Sequence, residues 1–202
     1  MNKKVVVGAL LLLAVVAYGG YRWWLSSVEQ AAVEWQGPFR EISREQMAKE
    51  GDTWHIEFDT VFDAPVDRVY DAYTHPERAH ELVPDRVLVS ELKLDEGNKK
   101  VVEIRGKVLN LPIQRLVIEY SMFPDQKRIT SKTLEYNLAD INSEYVFQAS
   151  PDGKKTLLRF TQTSKDKLGN PLPESVQKGA LKETYVTTVR TVMKALGISG
   201  TT

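Results

Sequence analysis

From Trp54 the chain alternates between apolar and polar positions. Trp54, Ile56, Phe58, Thr60 and Phe62 share one side of a two-residue period, with His55, Glu57, Asp59, Val61 and Asp63 on the other. This predicts a half-buried strand. Ala64-Pro65 ends it, and Pro65 suits the first turn of a helix in which Val66, Val69, Tyr70 and Tyr73 recur at helical spacing. Thr74-His75-Pro76 closes that helix and opens a shorter one, Glu77 to Val83.

Six further strands follow. They are Arg86 to Leu94, Lys99 to Leu109, Ile113 to Phe123, Lys127 to Tyr136, Ile141 to Ala149 and Lys155 to Thr163. Asp95-Glu96-Gly97-Asn98, Pro124-Asp125 and Pro151-Asp152-Gly153-Lys154 supply turns between them. Consecutive hairpins make the sheet antiparallel, seven-stranded with the opening strand. After the breaker cluster Asn170-Pro171-Leu172-Pro173 the period changes to 3.6. Leu181, Tyr185, Val186, Val189, Val192, Met193 and Leu196 fall on one arc of a helix from Pro173 to Leu196, with Thr188 at its margin. Glu183, Arg190 and Lys194 gather opposite, Glu174 faces the positive end of the helix dipole, and Gly197 is placed to cap the end. The class is α+β.

The first 25 residues follow a different pattern. Asn2-Lys3-Lys4 precedes Val5 to Tyr18, an almost unbroken run of Val, Ala, Leu and Gly. Val5 to Leu25 makes 21 residues, about 31 Å of helix and roughly one hydrocarbon core. Tyr18, Tyr21, Trp23 and Trp24 crowd its far end as an interfacial belt would. The expectation is a transmembrane anchor over residues 1–25, crossing the membrane through residues 5–25. Lys3 and Lys4 would hold the N-terminus in the cytoplasm and leave the domain outside it, periplasmic in a bacterium. The alternative is a cleaved signal, with Ala17-Tyr18-Gly19 as a weak small-x-small site. Residues 26–52 read as a juxtamembrane connector broken at Gly37-Pro38, and residues 53–202 as the domain.

Composition excludes several classes. The chain has 202 residues and a formal charge of zero, without the clustered basic face that nucleic acid needs. Residues 1–25 carry three of its 27 basic and none of its 27 acidic residues, so the remainder is mildly acidic. With no cysteine there is no disulfide, thiolate nucleophile or zinc–cysteine site. The three histidines, His55, His75 and His80, lack ligand spacing, and no phosphate loop or nucleophile elbow appears. No metal site, cofactor or catalytic residue is assigned.

The run Phe58-Asp59-Thr60-Val61-Phe62-Asp63-Ala64-Pro65-Val66-Asp67-Arg68-Val69-Tyr70-Asp71-Ala72-Tyr73 resembles the opening of the START-like (SRPBCC) superfamily. That superfamily includes Bet v 1-like proteins and the polyketide cyclase/dehydrase and lipid-transport proteins. The element order from Trp54 to Gly197 is similar too. The resemblance implies a helix-grip fold, a curved antiparallel sheet around the long C-terminal helix, with a cavity between them for an apolar ligand such as a lipid or isoprenoid.

The candidate lining is the inward alternating set. It comprises Ile56, Phe58, Ile104, Ile118, Tyr120, Met122, Tyr145 and Phe147 from strands, and Tyr185, Thr188 and Val189 from the helix. Tyr120, Tyr145 and Tyr185 stand out, because a buried hydroxyl must find a partner. For each residue singly, core packing is the competing reading. Lys178 and Lys182 intrude on the helix's apolar arc, either to meet an anionic head group or to snorkel, with Lys178 pairing Glu174. Two further functional classes stay open. One is a cavity enzyme of the cyclase or aromatase type, for which Glu135 is the first inward acid to check. The other is an interaction module with a filled core, akin in fold to chaperone-ATPase activators.

Overall fold

Alternation over Trp54–Phe62 buries one side of the opening strand, and the rest of the molecule is laid against that side. The computed structural model describes residues 16–30, 42–167 and 172–198. Residues 16–30 are helical (α1). Then follow β1 (Arg44–Glu50), β2 (Thr53–Phe62), α2 (Val66–Tyr73), a 3-10 turn Pro76–Arg78, α3 (Ala79–Leu82), β3 (Val87–Asp95) and β4 (Lys99–Gly106). β5 (Gln114–Phe123), a 3-10 turn Pro124–Gln126, β6 (Arg128–Glu135), β7 (Ala139–Ala149), β8 (Thr156–Asp166) and α4 (Glu174–Leu196) complete the order. The strands make one antiparallel sheet in the order β1-β2-β8-β7-β6-β5-β4-β3.

The turns behave as their residues require. Gly97 and Gly153 take left-handed φ of 73° and 71°, which costs glycine little, and Asp95 Oδ1 accepts from the Gly97 amide at 3.0 Å. At the end of α4, Gly197 is left-handed (φ 69°), and Ile198 N–H donates to Met193 O at 2.9 Å. The sheet is curved by register shifts between Val87 and Val89, Leu92 and Leu94, and Val117 and Ile118.

The sheet has eight strands, not seven. The extra one, β1, lies within the stretch read as a connector and pairs along its length with β2, from Arg44↔Asp59 to Glu50↔Thr53. Its sequence, REQMAKE, is mostly exposed and offers no apolar alternation. Two residues of α4 also depart from expectation. Glu183, placed on the solvent side, is 1% exposed, and Lys182, expected to snorkel or meet a head group, is 2% exposed. Lys182 Nζ lies 2.6 Å from Glu45 Oε2 on β1, so the sheet's edge strand supplies the counter-charge that a buried ammonium needs.

Among the described residues, no helix is long and apolar enough to cross a membrane. Residues 5–15 of the expected span lie outside them, as do residues 31–41 of the connector.

Half of the space between sheet and helix is filled. Phe58, Phe62, Tyr73, Phe147, Phe160 and Tyr185 form the heart of the core, against Val186, Val189 and Val192. α2 packs on α4 and β7. The crossing from α2 to α3 is tied to the sheet by the buried Lys100, which donates to Thr74 O at 2.9 Å and lies 3.2 Å from Glu77 Oε1.

The Lys182–Glu45 pair can be tested directly. Glu45→Ala should destabilise the chain by about 3 kcal/mol, because it takes the carboxylate away from a buried ammonium, whereas Glu45→Ala with Lys182→Met should recover most of that loss. Denaturant midpoints of the three proteins check this. Equal loss in single and double variants would show that the pair does not hold β1 to α4.

Candidate ligand-binding cavity

The half of the interface that the rings leave open is a cavity of about 240 Å³. Even-numbered residues of two neighbouring strands face it, Ile104 and Gly106 from β4 and Gln114, Leu116, Ile118 and Tyr120 from β5. α4 forms the opposite wall with Ala180, Thr184, Thr187, Thr188 and Thr191, one stripe at helical spacing. Thr184, Thr188 and Thr191 donate their hydroxyls back to the carbonyls of Ala180, Thr184 and Thr187 at 2.9, 3.1 and 2.8 Å. With those hydroxyls engaged on the helix, the stripe is short and presents little free polarity. α2 and the turn after it close one end with Ala72, Tyr73 and Pro76. The other end is bounded by Val108 and Leu111 of the β4–β5 loop, Tyr136 and Leu138 between β6 and β7, and Leu172 before α4.

Of the expected lining, Ile104, Ile118, Tyr120, Tyr145 and Thr188 face the cavity. Ile56, Phe58, Met122, Phe147, Tyr185 and Val189 do not; they are packed in the core, at most 5% exposed. The reason is geometric. The centre of the sheet touches α4 directly, so inward residues there meet the helix, and inward residues of β4 and β5 meet a gap. Tyr185 has its hydroxyl partner in the core, 2.6 Å from Thr60 Oγ1.

Tyr73 went unassigned in the sequence, although its helical spacing with Val66, Val69 and Tyr70 already pointed it inward. It is 7% exposed, lines the cavity, and its hydroxyl has no hydrogen-bond partner among the described residues. Tyr145 lies beside it, ring centroids 5.5 Å apart, and bonds to Ser131. Burial pushes the Tyr145 and Tyr136 hydroxyls up to about 12 and raises Tyr73 and Tyr120 as well. The cavity tyrosines therefore keep their protons at neutral pH and act as neutral O–H groups.

The acids of the wall are paired. Glu183 faces Arg86, whose Nη1 lies 2.7 Å from Oε1, and accepts from the Leu109 amide. Asp166 pairs with Lys49 at 3.1 Å. Lys49 and the Trp54 indole both donate to Gln177 Oε1 at 2.9 Å, and Gln177 Nε2 donates to Leu172 O at 2.6 Å. Glu135 points the other way, mostly exposed and paired with Arg115 Nη1 at 2.6 Å. Among the described residues no cluster of His, Cys, Asp or Glu could hold a metal ion.

Burial raises the Glu183 carboxyl, outweighing the Leu109 amide and the charges of Arg86 and Arg190, which lower it. A carboxyl raised on folding binds a proton that the unfolded chain has already released. Its effect on stability is therefore lost as pH rises from the ordinary glutamate value of ~4.3 through the raised one. The unfolding free energy of the natural chain relative to Glu183→Gln should fall across that window and be flat on either side of it. Parallel curves at all pH values would contradict the buried carboxyl.

No family model and no curated protein matches the chain. Solved structures do. The Zhui aromatase/cyclase from Streptomyces sp. R1128 superposes with a TM-score of 0.64 at 16% identity, over 72% of this chain and 94% of that one. Ara h 8.0201 gives 0.58 at 12% identity, over 72% and 99%. A START superfamily protein from Mycobacterium smegmatis gives 0.56 at 12% identity, over 71% and 97%. The shared features are the curved antiparallel sheet and the long helix it holds, and the chain has the START-like, helix-grip fold.

Proposed function

We propose that the chain binds a hydrophobic small molecule, a lipid or isoprenoid, in the cavity between β4, β5 and α4, as a membrane-tethered domain outside the cytoplasm. The observation that carries this reading is the hollow itself. Protein interiors are ordinarily close-packed, yet here a cavity of about 240 Å³ is walled by Ile104, Leu116, Ile118 and a threonine stripe and holds the unpartnered Tyr73 hydroxyl. An apolar space with few polar groups is the usual form of a small-molecule site. Its volume suits one chain or a compact ring system rather than a two-chain lipid. Desolvation would drive uptake at roughly 0.8 kcal/mol per buried CH₂, and Tyr73 would orient a hydroxyl or carbonyl on the ligand.

The alternatives fare less well on the same observations. An interaction module of this fold would have its interior filled. A cyclase-type enzyme would use an acid or base facing the ligand; the wall's acids, Glu183 and Asp166, are held by Arg86 and Lys49, and its His75 is held by Glu77, Nδ1 to Oε1 at 3.0 Å. The tether rests on the apolar run Val5–Tyr18 and its aromatic flank.

Full-length chain purified in mild detergent should carry an apolar molecule into native mass spectrometry. Thr188→Leu should raise the melting temperature by a few degrees, because it fills space, and should abolish that adduct. Tyr73→Phe should keep the fold and weaken binding by up to about tenfold, the worth of one hydrogen bond. A chain that carries and titrates no apolar ligand, with Thr188→Leu indifferent, would end the proposal.

A further inference from the structure

The end of the cavity bounded by the β4–β5 loop is also where α1 is docked. Val28 is fully buried there between Leu109 of the β4–β5 loop and Val176 of α4. Around them pack Val108, Leu111, Leu172 and Ala180, and these same four residues line the cavity. Asn110 Nδ2 donates to Ser27 O at 3.3 Å, fixing the loop to the end of the helix. α1 is therefore attached at this rim of the cavity.

Two features of this rim are ill suited to water. Before the contact, α1 exposes Tyr18, Tyr21 and Trp23, the last at 75%, residue types that favour the bilayer interface. The loop is Val108-Leu109-Asn110-Leu111-Pro112-Ile113, apolar where connecting segments are normally polar, and Ile113 is 58% exposed. The chain that leads into α1, Val5 to Val15, is wholly apolar in sequence. The aromatic flank of α1, the apolar loop and this end of the cavity thus lie together.

We infer that this end of the cavity is its mouth and is seated on the lipid bilayer. The Trp24–Val28 segment of α1 holds the β4–β5 loop at headgroup depth, and the ligand passes between bilayer and cavity without crossing water. This rests on the tethered reading of residues 5–25, and it adds which face meets the lipid and where the ligand enters.

The chain has no cysteine, so Ile113→Cys and Lys154→Cys each give a single labelling site, Lys154 lying in the β7–β8 turn at the far end. The full chain, labelled with an environment-sensitive fluorophore, is reconstituted in phosphatidylcholine vesicles with or without a spin-labelled phospholipid. Vesicle flotation reads the tether, and quenching reads the seating. Both proteins should float; the label at position 113 should shift to the blue and lose most of its emission to the spin-labelled lipid, and that at 154 should be unaffected. Adding Val28→Asp to the Ile113→Cys chain should leave flotation intact and bring quenching down to the level seen at 154. Flotation with no lipid quenching at 113 overturns the inference and leaves the tether standing. Shielding of 113 from aqueous iodide without lipid quenching also overturns it, in favour of a protein partner or second copy on the loop. Failure to float overturns both.

Discussion

Two neighbouring residues of the long helix set the geometry on which everything else depends. Lys182 and Glu183 are both buried, and successive helical positions point about 100° apart. Lys182 reaches Glu45 on β1, one edge of the sheet. Glu183 reaches Arg86, immediately before β3, the other edge. The helix thus clasps both margins of an eight-stranded sheet at the same level. Burying two charges is expensive, and the pairs are worth little net stability against apolar substitutes. What they contribute is position, because an unpaired charge in that interior would be costly and only one placement of the edges satisfies both.

Within that clasp, the ring layer decides where the sheet and helix touch. Tyr185 packs on Phe58 and Phe160 with centroids 4.6 and 4.8 Å away, and Tyr145 on Phe160 at 4.9 Å. These contacts lie over β2, β8 and β7. The adjoining stripe of α4 carries Ala180, Thr184, Thr187, Thr188 and Thr191, too short to reach β4 and β5 across a sheet bent by its bulges. Large residues at one set of helical positions and small ones at the next divide the interior into a packed half and a hollow half. The hollow follows from that contrast more than from any single polar group.

This also explains what could be read from the chain alone. Strands β2 to β8, the hairpin turns and α4 were all legible, because alternation, breakers and helical spacing each leave a local mark. β1 was not, since its Arg-Glu-Gln-Met-Ala-Lys-Glu pairs through its backbone and buries almost no side chain. Glu183 was misplaced because a wheel assigns charges to solvent; Lys182 fell on the apolar arc, but its partner Glu45 lies far away in sequence and left no local mark. For the cavity, strand parity correctly pointed Ile104, Ile118, Tyr120 and Tyr145 inward. It could not tell them from Phe58, Met122 and Phe147, since parity separates the two faces of a sheet and says nothing about how far the opposing helix stands off. The threonine stripe was the available signal, and only Thr188 was taken from it.

The central claim is that the hollow is an apolar binding site of limited size. Calorimetric titration of the full chain with a series of straight-chain alcohols of increasing length tests it most directly. A site of limited size predicts affinity that grows by roughly 0.8 kcal/mol per CH₂ and then levels off once the space is full, with a negative heat-capacity change. Affinity that climbs without a plateau, or no saturable binding at any length, would contradict it.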